Sequence, residues 1–66
     1  MKVMINGTQT ELYGATTITD MLQELEYGET GFAIAIDGVF VPRTLYADTT
    51  LSENMDIELV APMQGG

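Results

Sequence analysis

The sequence contains no cysteine and no histidine. Disulfides, thiolate nucleophiles, cysteine persulfides and imidazole bases are therefore excluded from the chemistry of this chain, together with the usual zinc ligands. Its hydroxyl groups have no imidazole base to activate them, and the sequence carries no phosphate-binding loop. We predict neither a metal site nor an enzyme that acts alone.

Positive charge is scarce as well. Lys2 and Arg43 are opposed by ten carboxylates, which gives a formal net charge of −8. Such an acidic body repels phosphate backbones, so nucleic-acid binding is not expected. The negative charge is consistent with electrostatic attraction to a basic protein partner, and it is equally consistent with a role in solubility alone.

Long apolar runs are also missing. The chain has no stretch of about 18 apolar residues, which a transmembrane helix needs. Its first ten residues lack the apolar central region of a secretory signal, so we expect a cytoplasmic location and no membrane contact. The 66 residues are 45% hydrophobic, which predicts one small folded domain rather than a disordered chain.

Two dipeptides, Asn6-Gly7 and Asp37-Gly38, predict tight turns, because both residues of such a turn tolerate positive φ. Each lies in an alternating sequence, so we predict two hairpins, with strands in KVMI and Thr8 to Tyr13 and in FAIAI and VFV. Pro42 ends the second hairpin or confines it to a sheet edge. An irregular segment with a helical turn around residues 45–47 precedes a last strand at residues 56–60.

The sequence TTITDMLQELEYG predicts the one helix. Thr17 can cap its N-terminus, with Asp20 in the place of the Glu or Gln of a capping box. Gly28 stands where a left-handed residue ends a helix. Glu24 and Glu26 are expected to form a solvated acidic face rather than an acid–base pair. The apolar stripe that is spaced for one helix face consists of Ile18, Met21, Leu22 and Leu25.

The element order is strand, strand, helix, strand, strand, strand. Because one helix cannot bury its stripe alone, it must lie on one face of the sheet. We therefore predict an α+β fold, a five-stranded mixed sheet packed on one helix, with the first and last strands adjacent and parallel. The predicted core is Val3, Ile5, Leu12, Ile18, Leu22, Leu25, Phe32, Ile34, Ile36, Leu51, Ile57 and Leu59.

The last six residues, APMQGG, carry no charged side chain. We divide the chain into a domain at residues 1–60 and a flexible tail at residues 61–66. Pro62 favours an extended backbone. Gly65 and Gly66 have no Cβ, so the terminal carboxylate can enter a narrow channel of another protein. The alternative is a tail that simply frays.

Three stretches resemble one known family. VMINGT is similar to its first hairpin, AIAIDGVFVPRTLY to its middle segment, and LSENMDIELVAPMQGG to its closing strand and tail. Where the family often has Asp-Gly-Asp in the last turn, this chain has Glu53-Asn54-Met55, and Asn tolerates positive φ. The chain is thus identified as a member of the ThiS family, the sulfur carriers of thiamine thiazole biosynthesis, which have the β-grasp fold of ubiquitin.

The resemblance implies a mechanism. An adenylating enzyme related to ubiquitin-activating enzymes would use ATP to join the Gly66 carboxylate to AMP, and sulfur from a persulfide donor would leave a thiocarboxylate. Gly65 would keep the approach clear. The thiocarboxylate would then deliver sulfur to thiazole synthase, so the carrier itself binds no cofactor. The residues that match the family's signature are Val41, Pro42 and Arg43. We expect them to have a structural role rather than to contact a partner, because proline fixes a turn.

Alternation places several apolar residues on the sheet face opposite the helix, where partners could dock. Scattered apolar surface residues are the alternative, since they are common in monomers. The predicted partner-binding residues, which include two from the tail, are Met4, Ala33, Ala35, Val60, Met63 and Gln64.

Three other functions fit the same features. One is the related carrier that serves molybdopterin synthase, and another is a ubiquitin-like modifier that is conjugated to lysines. The third is a passive interaction module in which the glycine pair is incidental. The Val41-Pro42-Arg43 stretch and the chain length of 66 residues favour the thiamine carrier.

Overall fold

The computed structural model describes residues 1–28 and 31–60, which form five strands, one α-helix and one 3₁₀ helix. The elements in chain order are β1 (Lys2–Ile5), β2 (Thr8–Glu11), α1 (Ile18–Glu24), β3 (Ala33–Ile36), β4 (Val39–Val41), the 3₁₀ helix (Arg43–Asp48) and β5 (Asp56–Val60).

The strands form one sheet in the order β2-β1-β5-β3-β4. β5 lies in the centre, parallel to β1 and antiparallel to β3, while β2 and β4 complete the two hairpins at the edges. The predicted mixed sheet with adjacent, parallel first and last strands is confirmed. Pro42 follows the edge strand β4, as its missing N–H group requires.

The turns have the predicted chemistry. Asn6 and Gly7 have φ angles of 51° and 82°, and Asp37 and Gly38 have φ angles of 50° and 84°. Positive φ at both central residues gives the turn whose twist matches a two-stranded hairpin. Asn54, in the last turn, has a φ of 64°.

The second strand is shorter than predicted, because β2 ends at Glu11 and not at Tyr13. The backbone N–H of Leu12 still donates to Met1, over 2.7 Å. The N–H of Tyr13 instead donates to the carboxylate of Glu24, over 2.7 Å. The carboxylate at the end of the helix therefore binds the backbone directly after β2.

The start of α1 follows the prediction. The Thr17 hydroxyl accepts a hydrogen bond from the Asp20 N–H, over 3.2 Å. The Asp20 carboxylate accepts from both the N–H and the hydroxyl of Thr16, over 3.2 and 2.9 Å. It therefore reaches one residue further back than the N-cap of a standard capping box, because Thr16 offers two donors. The hydrogen bond from the Thr16 N–H, and then that from its hydroxyl, lowers the pKa of the Asp20 carboxyl.

The predicted end of α1 was wrong. The helix ends at Glu24, and its first left-handed residue is Glu26, with a φ of 61°, not Gly28. The N–H of Tyr27 donates to the carbonyl of Leu22, over 2.9 Å, and the N–H of Glu26 donates to Gln23, over 3.2 Å. These two bonds form the turn that usually places glycine at the left-handed position. Gly28 also has positive φ, but it lies beyond this turn.

The core lies between the sheet and the two helices. Leu25, Phe32, Ile36 and Leu59 are only partly buried at its edge, although the sequence predicted them inside. The 3₁₀ helix lies against α1 and adds the buried side chain of Tyr46 to the core. The buried hydrophobic residues are Val3, Ile5, Leu12, Ala15, Ile18, Met21, Leu22, Ile34, Val41, Tyr46, Leu51 and Ile57.

Neither helix within the described part of the chain has the length and apolar character that crossing a membrane would need.

Candidate functional site

The sheet face that points away from α1 carries most of the predicted docking residues. Ile34 and Ile57 are fully buried on the helix side. Because side chains alternate along a strand, Ala33, Ala35 and Val60 point to the opposite face. Ala33 lies directly opposite Val60 in the β3–β5 pairing, so the structure brings these residues together.

The structure adds Phe40, which the sequence analysis missed. Phe40 lies directly opposite Ala35 in the β3–β4 hairpin and is 63% exposed. The signal was present in the sequence, because counting outward from the two-residue turn at Asp37-Gly38 pairs Phe40 with Ala35. We call the surface formed by Ala33, Ala35, Phe40 and Val60 the outer patch.

Met4 lies on the same face but at a distance from the outer patch. Its partner in the parallel pairing of β1 with β5 is Asp56. Val60 lies four positions after Asp56 in β5, which is about 13 Å along the strand. Asp56 and Glu58 occupy the outer face between them, so acidic side chains divide Met4 from the patch.

The outer patch combines exposed apolar surface with an acidic border. Val60 is 58% exposed, and its neighbour on the same face of β5 is Glu58. The two basic side chains lie elsewhere, Lys2 in β1 and Arg43 at the start of the 3₁₀ helix. A partner surface with apolar residues and a basic rim would complement this arrangement.

The signature residues Val41 and Pro42 have visible structural roles. Val41 is buried and pairs with Ile34 at the end of β4. Pro42 has a φ of −63°, and its carbonyl accepts from the Leu45 N–H, over 2.9 Å, as the 3₁₀ helix begins. These positions therefore end the hairpin and start the segment that covers the core.

Arg43, the third signature residue, is exposed. Burial raises the pKa of the Tyr46 hydroxyl, and the positive charge of Arg43 opposes that rise. Arg43 therefore lies one turn of the 3₁₀ helix before the one buried tyrosine of the described chain, and its own side chain is exposed.

The remaining site predictions concern the tail. Met63, Gln64, Gly65 and Gly66 lie outside the described residues, and so does the division of the chain at residue 61. In the sequence they follow Val60, which belongs to the outer patch and ends the central strand. In residues 1–28 and 31–60, no three acidic side chains converge in a way that could hold a metal ion.

The five-stranded mixed sheet packs against one α-helix and has the last strand of the chain at its centre. This arrangement defines a ubiquitin-like β-grasp domain. The model of the ThiS family matches residues 3–66, and the chain belongs to this family. At family level this makes it a sulfur carrier of thiamine biosynthesis. No curated protein sequence matches the chain.

Two solved structures share the fold. The crystal structure of the thiamine biosynthesis protein ThiS from Geobacter metallireducens has a TM-score of 0.84 and 23% identity, with both chains covered completely. An NMR solution structure of a thiamine biosynthesis protein from the same organism has a TM-score of 0.77 and 23% identity, and it covers 100% of this chain and 88% of that one. The predicted β-grasp fold is confirmed.

Proposed function

We propose that this chain carries sulfur as a thiocarboxylate on Gly66 and donates it for thiazole formation. The observation that carries the proposal is the family match, which extends through Gly65 and Gly66. The composition supports it independently, because a chain without cysteine cannot carry sulfur on a thiol. A carbonyl carbon is then the natural attachment point.

The chemistry begins with activation, because a free carboxylate is a poor electrophile. An adenylating enzyme joins the Gly66 carboxylate to the α-phosphate of ATP and releases pyrophosphate. The terminal sulfur of a persulfide then attacks the acyl carbon, and AMP leaves with the electron pair of the broken C–O bond. A second thiol cleaves the resulting acyl disulfide, which yields the thiocarboxylate and a disulfide on the donor.

The carrier's own contribution is geometric. Gly65 and Gly66 present no Cβ, so the last peptide units fit a channel that excludes larger residues. ATP is bound and used by the adenylating partner, not by this chain. Thiazole synthase is the acceptor that we propose for the sulfur.

The decisive test shifts the carboxylate without changing the domain. We propose to append one alanine after Gly66, which moves the carboxylate by about 3.5 Å in an extended chain. Misplacement of a reacting group by about 1 Å can lower a rate on the order of a hundredfold. After incubation with ATP, the adenylating enzyme and a persulfide donor, intact-mass spectrometry should show sulfur on the wild type and none on the extended chain.

The matched control is the removal of Gly65 and Gly66. The core lies within residues 3–57, so the truncated chain should melt within about 1 °C of the wild type while it accepts no sulfur. Sulfur on the untrimmed extended chain at the wild-type rate would refute a role for the terminus. The mass of protein isolated from cells also reports whether Gly66 is the last residue.

Three outcomes would move the assignment to a rival function. Rescue of molybdenum-cofactor synthesis, but not of growth without thiazole, would indicate the molybdopterin carrier. A ladder of conjugates on lysines of other proteins would indicate a modifier. If neither the adenylating enzyme of the thiamine pathway nor that of the molybdopterin pathway activates the wild type, the passive interaction module with an incidental glycine pair is the function that is left.

The docking part of the proposal places the adenylating enzyme on the outer patch. Ala35→Arg puts a bulky cation in the centre of this patch, and Gln9→Arg adds the same charge on the exposed edge strand β2. We expect A35R to weaken binding by at least about tenfold, as the loss of a central contact does, and Q9R to leave it unchanged. Calorimetry decides, and equal affinities of A35R and wild type would exclude the patch.

Phe40→Ala is an independent check of the same surface. Phe40 is mostly exposed, so its truncation leaves the core intact. We expect F40A to weaken binding to the adenylating enzyme by more than fivefold, since aromatic residues often dominate such interfaces. Binding at wild-type strength by both F40A and A35R would place the enzyme on another face.

A further inference from the structure

One side chain makes the last contact between β1 and the central strand. The parallel ladder begins with the Met4 N–H, which donates to the Met55 carbonyl over 2.8 Å, and continues with the Asn6 N–H and the Ile57 carbonyl, over 2.9 Å. β1 then turns into its hairpin at Asn6. The next peptide groups of β5 that face β1 belong to Leu59.

The Asn6 side chain pairs with β5 at the point where the backbone of β1 no longer does. Its Oδ1 accepts from the Leu59 N–H over 2.8 Å, and its Nδ2 donates to the Leu59 carbonyl over 3.1 Å. A primary amide offers one carbonyl and one N–H side by side, so it pairs with a backbone residue as a peptide group does. The amide thereby extends the β1–β5 pairing by one residue after β1 has left the sheet.

Turn geometry alone does not account for this asparagine. Asp37 occupies the corresponding position of the second hairpin with nearly the same φ, 50° against 51° for Asn6. Glycine would also fit both turns, since it adopts positive φ without strain. Aspartate can accept a hydrogen bond from Leu59 but cannot donate one, and glycine can do neither. The amide is therefore matched to Leu59.

We propose that Asn6 is a positioning residue that holds the end of β5 in place for the activation of the tail. This inference rests on the proposed function. Leu59 precedes Val60, the last residue of the central strand, and the tail follows directly. On the other side, the pairing with β3 ends at Ala33 and Val60. On the side of β1, Asn6 thus holds Leu59, the residue that precedes the last residue of β5.

The consequence is entropic. If the Asn6 amide is removed, Leu59 and Val60 gain backbone freedom on one side, and the adenylating enzyme must order them again when it binds the tail. This loss falls on the bound state and not on the reacting atoms, so KM should rise while kcat stays near its wild-type value. We expect kcat/KM for adenylation to fall about tenfold.

The test compares Asn6→Gly with Asp37→Gly. Both replacements put glycine at the same position of the same kind of turn, but only N6G removes the amide. Pyrophosphate exchange with ATP and the adenylating enzyme gives kcat and KM, and NMR hydrogen exchange reports the amide protons of Leu59 and Ile57. N6G should raise KM about tenfold and speed exchange at Leu59 but not at Ile57, while D37G changes neither.

Equal KM values for N6G and D37G would overturn the positioning role. Unchanged exchange at Leu59 in N6G would overturn the claim that the amide holds β5. If the wild type itself forms no adenylate, the proposed function fails and the role in activation fails with it. The exchange measurement then still shows separately whether Asn6 secures the strand.

Discussion

Glu24 offers the sharpest test of how this small domain is held together. It is the last residue of α1, and its carboxylate accepts three backbone N–H groups of the β2–α1 loop. The distances are 2.7 Å to Tyr13 and 3.2 Å each to Gly14 and Ala15. One side chain therefore ties the end of the helix to the segment that precedes it, although the sequence predicted only a solvated acid at this position.

Glu24→Gln preserves the size of the side chain and removes the charge. Oε2 accepts from Tyr13, and Oε1 accepts from Gly14 and Ala15, so the single oxygen of glutamine can serve only one of these two groups. A hydrogen bond to a charged group contributes about 1.5–3 kcal/mol, against about 0.5–1.5 kcal/mol for a neutral one. Because Glu24 is only partly buried, we expect a net loss of about 1–2 kcal/mol. For a domain of this size that lowers Tm by roughly 5–15 °C.

Glu26→Gln is the matched control. It removes the same charge two residues later, from an exposed side chain near the same helix end. Both changes relieve the unfavourable interaction of a negative charge with the C-terminus of a helix, which amounts to about 0.3–1 kcal/mol. Urea denaturation at pH 7 measures both variants. If E24Q and E26Q have the same free energy of unfolding within about 0.5 kcal/mol, the three hydrogen bonds contribute nothing measurable and the reasoning fails.

Two further predictions concern the ends of α1. The hydrogen bonds from Thr16 lower the pKa of Asp20 in the folded state, so their stabilisation is present above the unfolded pKa of about 3.9 and is lost as the pH falls toward the folded value. Asp20→Asn should therefore be less stable than wild type at pH 7, with a smaller difference at pH 2.5. Urea titrations that show the same difference at the two pH values would contradict this prediction. Glu26 holds a positive φ of 61°, so Glu26→Gly should stabilise the protein by roughly 0.5–1 kcal/mol. A lower melting temperature for E26G would show that the left-handed position carries no strain.

The sequence predicted the local features of this fold well. The turns at Asn6-Gly7 and Asp37-Gly38 and the cap at Thr17 depend on the intrinsic preferences of a few neighbouring residues, so short-range chemistry was sufficient. The adjacent, parallel pairing of the first and last strands also followed, because the order of strands and helix, read with the family resemblance, left one natural arrangement. The family motif and the terminal glycines likewise identified the class of carrier without coordinates.

The tertiary structure decided what depends on residues that are distant along the chain. Glu24 bonds to loop residues that lie about ten positions before it in the sequence, and Asn6 bonds to Leu59 from the opposite end of the sequence. Tyr46 is buried because the 3₁₀ helix lies against α1, which is distant along the chain. Hydrophobic periodicity reports which face of an element is apolar, but not which distant polar group completes its hydrogen bonds. The partner of each such hydrogen bond is determined only when the strands pair and the helix packs on them, because the donor and acceptor atoms must lie about 3 Å apart.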